Sequence, residues 1–201
     1  MTFVRDIVNT YDLKRFIEDL VIPDLHKMIE CQLHYYAFSV ICQAIEVLGS
    51  IYDQKSLDDY GASETRFDNA ITNLFRDKRY REKQELFYSF LRGPLIHQLR
   101  PGAGLFLASE QKDRIKQDNH LEKHVDSGSV ILVIERFLAD FIDAFEKFKR
   151  ELNQRKDLDN KKVEQPFIYV STLSPPYPTN WWDKDSQSLV TVTPSITGRS
   201  L

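Results

Sequence analysis

The sequence predicts a mainly α-helical bundle, with a small β-hairpin at about residues 105–125 and an irregular C-terminal arm. Three observations predict it. Several stretches place apolar residues at three- and four-residue spacing, the period of one helix face. The last of these draws most of its face from phenylalanine, as a core helix does. A composition shift begins at Asp157, and the stretch 163–201 has no helical period and holds five of the eight prolines and both tryptophans.

A first helix is expected around Asp12 to Leu20. The strongest pattern runs from Asp24 to Ile51 through Leu25, Ile29, Leu33, Ala37, Ile41, Ala44 and Leu48, about seven turns of one apolar stripe. Asp24, after Pro23, can cap its start, and Gly49 lies near its end. A third helix from about Ser63 to Phe75 carries Phe67, Ile71, Leu74 and Phe75. A fourth begins near Arg81 and carries Leu86, Phe87, Phe90 and Leu91. Pro101-Gly102-Ala103-Gly104 stops it.

Leu105–Ala108 reads as a short strand and His120–Val125 as its hairpin partner. The fifth helix, Val130 to Leu152, places Phe137, Leu138, Phe141, Phe145 and Phe148 on one face. The expected division is a helical bundle over 1–156 and a Pro- and aromatic-rich arm over 157–201, packing on the bundle or on a partner through Phe167, Tyr169, Trp181 and Trp182. Phe167–Val170 and Leu189–Val192 read as extended segments within it.

The chain has 27 Lys and Arg against 30 Asp and Glu, a net charge of −3. That argues against a protein that coats nucleic acid through bulk positive charge, while leaving room for a local basic site. Cys31 and Cys42, eleven residues apart on one expected helix, would stand about 16 Å apart, beyond disulfide reach. They read as small buried apolar residues in a reducing compartment. The N-terminal residues lack an apolar segment of signal-peptide length, and the longest aliphatic run, Val130–Ile134, is far short of a membrane span. A cytoplasmic location without membrane partners is the expectation.

The candidate chemistry centres on Ser89-Phe90-Leu91-Arg92-Gly93-Pro94-Leu95-Ile96-His97, an arginine and a histidine separated by four residues near a helix end. This resembles the R-x4–6-H motif of the HEPN superfamily, small helical domains that include many metal-independent ribonucleases. The resemblance covers the motif and its all-helical context. It implies that His97 acts as general acid and base at a ribose 2′-hydroxyl, and that Arg92 stabilises charge developing on the phosphate. It also implies a homodimer, with two motifs in one cleft, and no cofactor or metal.

Two departures stand out: Gly93 occupies a position that is often polar in the family, and Pro94 should kink or restart the helix. On an unbroken α-helix, Arg92 and His97 would lie about 140° apart. His97 also falls near the apolar side, so a core or dimer-seam histidine is an open reading.

The segment Arg76-Asp77-Lys78-Arg79-Tyr80-Arg81-Glu82-Lys83 holds five basic and two acidic residues. With Arg100 it can supply phosphate contacts, Arg79 and Arg81 being the candidates; a solvated inter-helix connection is the plainer alternative. His120 and His124 have a zinc-like spacing, but on an extended segment they stand about 13 Å apart, which argues against a shared metal. Glu46 lies off the apolar stripe and reads as a surface acid. No Walker loop, dinucleotide fingerprint or nucleophile elbow is present. Two functions are therefore expected to compete: a HEPN-type ribonuclease or RNA/nucleotide-binding domain, and a non-catalytic helical interaction protein assembling through its arm.

Overall fold

The computed structural model describes residues 8–11, 13–53, 55, 61–154 and 167–170, the two outer segments as backbone only. The chain parts into two compact units, Thr10–Phe167 and Met1–Asn9 with Ile168–Leu201. Strand β1 (Val8–Tyr11) pairs with a late strand, Phe167–Val170, so the extended reading of that segment holds. Trp181, Trp182 and Leu189–Val192 lie outside the described residues.

The larger unit is mostly helical. Helix α1 (Leu13–Phe16) runs through a π-helical turn, Ile17–Val21, into α2 (Ile22–Glu30). The stripe expected as one helix over residues 24–51 is two. It breaks at Cys31–Leu33 and resumes as α3 (His34–Gly49), followed by a short 3₁₀ turn, Ser50–Tyr52. The break closes like a Schellman cap. Gln32 takes a left-handed φ of 59°, its N–H bonds Ile29 O at 2.9 Å, and Leu33 N–H bonds Met28 O at 2.7 Å. Glycine usually marks this position, and a glutamine there hid the stop. Cys31, expected to be buried, sits exposed at the turn, whereas Cys42 is buried.

Helix α4 (Ser63–Asn73) packs on α3, which also meets α2 and the long helix described below. Gly49 ends α3 because nothing larger fits: a Cβ there would come within 1.7 Å of the Arg66 carbonyl oxygen. Short helices α5 (Lys78–Glu82) and α6 (Gln84–Leu86) lead into a π-helical segment, Phe87–Arg92, and α7 (Gly93–Gln98). The α3 stretch His34–Tyr52 is long and apolar enough to cross a membrane, yet about half of it is buried inside the fold, as in the core helix of a soluble protein.

The expected hairpin is replaced by a different pairing. Strand β2 (Leu105–Ala108) runs parallel to β3 (Val130–Val133), in register Leu105 with Val130 through Ala108 with Val133. Between them come the single turn α8 (Glu110–Asp113) and a stretch that meets the other edge of β3, Leu121 N–H bonding Ile131 O and Ile131 N–H bonding Glu122 O. Both segments read as hairpin partners thus pair with residues 130–133 instead of with each other. All four β3 residues are buried, which makes a continuous apolar run indistinguishable by period from a helix start. The last long helix, α9 (Ile134–Gln154), consequently begins four residues later than expected, and Phe167–Val170 becomes β4. Phe137, Phe141, Phe145 and Phe148 of α9 are fully buried, joining Phe38, Phe67, Phe75 and Phe87 in one core.

Candidate functional site

Arg92 and His97 ride one continuous helix. Pro94 cannot donate a backbone hydrogen bond, so an α-helix through it would orphan the Phe90 carbonyl. Two adjustments resolve this. The preceding six residues widen to π geometry, Gly93 N–H reaching back to Tyr88 O, and the freed Phe90 carbonyl accepts Gly102 N–H at 2.6 Å. Gly102 is required there, because a Cβ would stand 2.7 Å from a Phe90 ring carbon. The kink expected at Gly93-Pro94 becomes a change of helical winding that ends on Arg92.

Beyond Arg92 the winding is α, so the angular separation of about 140° from His97 persists. Arg92 turns inward. Its Nη2 lies 2.5 Å from Oε2 of Glu46 on α3, and its Cζ lies 5.7 Å from the Tyr88 ring centre. The two side chains are 12% and 17% exposed. Glu46, read from sequence as a surface acid, is therefore a largely buried partner. The contact is close without being an aligned hydrogen bond, and Arg92 Nε is buried with no hydrogen-bond partner among the described residues. Burial, opposed by the Arg92 charge, raises the Tyr88 hydroxyl above its ordinary range, with Glu46, Glu64 and Asp68 adding to the rise. Cys42, one turn before Glu46, has its thiol pushed up by burial.

His97 is exposed in the last turn of α7, which closes on Leu99 at a left-handed φ of 53°. No hydrogen bond or ion pair joins Arg92 to His97 among the described residues. The other candidates separate into two kinds. Arg79 is committed: its Nε and Nη2 grip Asp77, and its Nη1 reaches Glu122 Oε1 at 2.6 Å and His120 O at 3.1 Å. Arg81 and Arg100 are exposed, with single long bonds to Thr72 O and Gln98 Oε1.

Arg81 also lines a cleft of about 740 Å³ with Lys83, Asp68, Glu82, Glu85 and Phe90. Its three carboxylates outnumber its two cations, which disfavours an anionic ligand there.

A second polar cluster lies deeper. Val133 N–H donates to His120 Nδ1 at 3.0 Å, which assigns the ring proton to Nε2. Nε2–H then donates to the Tyr80 hydroxyl at 2.7 Å, and that hydroxyl donates to Asp140 Oδ2 at 3.0 Å. Arg136 holds the other Asp140 oxygen at 2.9 Å. Burial, then the Arg136 and Arg79 charges, push the His120 imidazole down to about 3, so it stays neutral and its 3.8 Å approach to Asp140 is no ion pair. Burial raises the Asp140 carboxyl despite the opposing Tyr80 and Arg136 contacts.

His124 stacks on Phe106 at 4.8 Å, away from this network, and no group of three metal-ligating side chains occurs among the described residues. Ser109, beside His34, caps α8, with its hydroxyl donating to Glu135 at 2.6 Å and accepting from Lys112 N–H.

Sequence reasoning missed Glu46, Tyr88 and the Tyr80–His120–Asp140 chain. Only Tyr88 left a usable trace, four residues before Arg92 on one helix. The chain matches no protein-family model, no curated protein and no solved structure.

Proposed function

We propose that this chain is a HEPN-type RNA-phosphate domain, a metal-independent ribonuclease whose site is completed by a second copy of itself. The observation that carries the reading is the π-helical segment ending on Arg92: a half-buried guanidinium with an unpartnered Nε, one turn before an exposed histidine. Such widened turns recur at functional sites, and a buried orphan donor calls for an acceptor. In this reading His97 transfers protons at the 2′-hydroxyl and Arg92 meets the charge on the phosphorane. Pairing of two copies offsets the angle between Arg92 and His97 by bringing the histidine of one toward the arginine of the other.

A second reading has its own observation. Arg92 is engaged by Glu46 and Arg79 by Asp77 and Glu122, as in a non-catalytic interaction domain whose cations serve the fold. An RNA-cleavage assay separates the two. Under the first, cleavage survives EDTA, leaves a cyclic phosphate end, and is lost in His97→Ala. Because His97 is exposed and touches no described polar partner, that variant should melt within about 0.5 kcal/mol of wild type. Clean wild-type protein that cuts none of a varied set of RNAs would establish the second.

A further inference from the structure

We propose that Glu46 is the positioning residue for Arg92, fixing the guanidinium so that its remaining donors are held ready for a phosphate. The inference rests on the ribonuclease reading and adds a residue the motif does not contain. Three features of the site carry it. The Glu46 carboxylate comes from a different helix, α3, and meets a terminal nitrogen of Arg92, Nη2, at 2.5 Å. Among the described residues, Arg92 Nε and Glu46 Oε2 are both buried without an aligned hydrogen bond, so the ion pair leaves donor capacity on the guanidinium unused. A pair serving only stability would be expected to close the fork, as Arg79 and Asp77 do with three contacts of 2.6–3.1 Å.

The Tyr88 ring, 5.7 Å from the guanidinium carbon, limits the other direction of motion. Arg92 is thereby gripped at one end and over one face, which lowers the ordering cost of binding an oxyanion. Glu46 touches no substrate in this scheme; it acts through Arg92.

Single-turnover cleavage of a single-stranded RNA oligonucleotide by full-length wild type, Glu46→Gln, Glu46→Asp, Arg92→Ala and the Glu46→Gln/Arg92→Ala double variant tests it, with melting curves on every protein. Positioning predicts that Glu46→Gln cleaves roughly 10- to 100-fold more slowly while still folded at the assay temperature. Glu46→Asp, which keeps the charge, should recover part of that loss. The double variant should be no slower than Arg92→Ala alone, because Glu46 has nothing left to position.

The inference is overturned if Glu46→Gln lowers the melting temperature but cleaves at the wild-type rate, or if the two substitutions multiply. Should Glu46→Gln fail to fold, Glu46→Asp alone decides: a loss of rate in a folded protein supports positioning, and a wild-type rate refutes it. Wild type that does not cleave removes the ribonuclease reading and this one together; wild type that cleaves beside an indifferent Glu46 removes this one alone.

Discussion

Two arginine-containing clusters, separated by one short stretch of chain, are built on opposite plans. Around Arg79, Tyr80, His120 and Asp140 the hydrogen bonds run in an unbroken chain from the Val133 backbone to Asp140, whose other oxygen pairs with Arg136. Around Arg92 an ion pair with Glu46 and the face of the Tyr88 ring leave two buried polar atoms without aligned hydrogen bonds among the described residues. Satisfied buried networks rigidify a core, and unsatisfied ones mark a place the fold alone does not explain. The difference separates cations whose hydrogen bonds are used within the fold from one whose hydrogen bonds are not, a distinction that residue type and spacing do not make.

The sharpest way to break the comparison is acid. An unfolded imidazole titrates near 6.5, whereas His120 in the fold titrates at about 3. Between those values the unfolded chain binds the extra proton, so the contribution of neutral His120 is complete above about pH 6.5 and is lost as pH falls toward 3. The slope approaches about 1.4 kcal/mol per pH unit and sums to on the order of 5 kcal/mol. Asp140, whose carboxyl is raised, opposes part of this, because its folded form takes up a proton before the unfolded form does. Urea unfolding of wild type and His120→Gln from pH 7 to 4.5 isolates the effect. A wild-type slope no steeper than that of the variant would mean that His120 is not held neutral.

Tyr80→Phe should come next. The phenol is fully buried and joins His120 to Asp140, so removing it orphans a donor and an acceptor at once. A loss of about 1–3 kcal/mol is expected, with the aromatic contacts to Phe75 and Phe87 retained. A loss under about 0.5 kcal/mol would show that the chain of bonds is ornamental to stability.

The fold was legible wherever one face of a helix alone meets the core. Phe137, Phe141, Phe145 and Phe148 lie on α9 as their spacing predicts, and Phe67 and Ile71 do so on α4. It was illegible where a local choice lacked its usual residue or its period. Gln32 ends α2 in a left-handed conformation that glycine normally signals, and Val130–Val133 is buried on every residue. For the site, the sequence showed Arg92 and His97 but not their surroundings. An ion pair between α3 and the π segment joins residues 46 apart, and no periodicity reports such a partner. Glu46 sits off the apolar stripe because it meets a charge, not because it meets water. The spacing of His120 and His124 bears only on a metal, because the buried partners of His120 come from α5, β3 and α9 and leave no local pattern.

The smallest effect on stability is also the finest test of the division among the cations, and it is read in salt. If RNA phosphates contact Arg81 and Arg100, each contact releases condensed counterions, and the slope of log affinity against log salt becomes shallower by about 0.7 for each contact removed on single-stranded RNA. Both side chains are exposed, and their single hydrogen bonds of 3.4 and 3.3 Å are too long to anchor them strongly. Arg81→Ala and Arg100→Ala should therefore leave the melting curve within about 0.5 kcal/mol of wild type while flattening the salt dependence.

Arg79→Ala should do the reverse. Its guanidinium is spent on Asp77, Glu122 and the His120 carbonyl, so its loss should lower stability and leave the salt slope alone. The carboxylates in the cleft beside Arg81 set the order within the exposed pair: Glu82 and Glu85 compete with phosphate for that cation, so Arg100→Ala should flatten the slope more than Arg81→Ala. Equal slopes across all three variants would dissolve the distinction between structural and available arginines, because it would mean that position in the fold does not decide which of them RNA would meet if it binds.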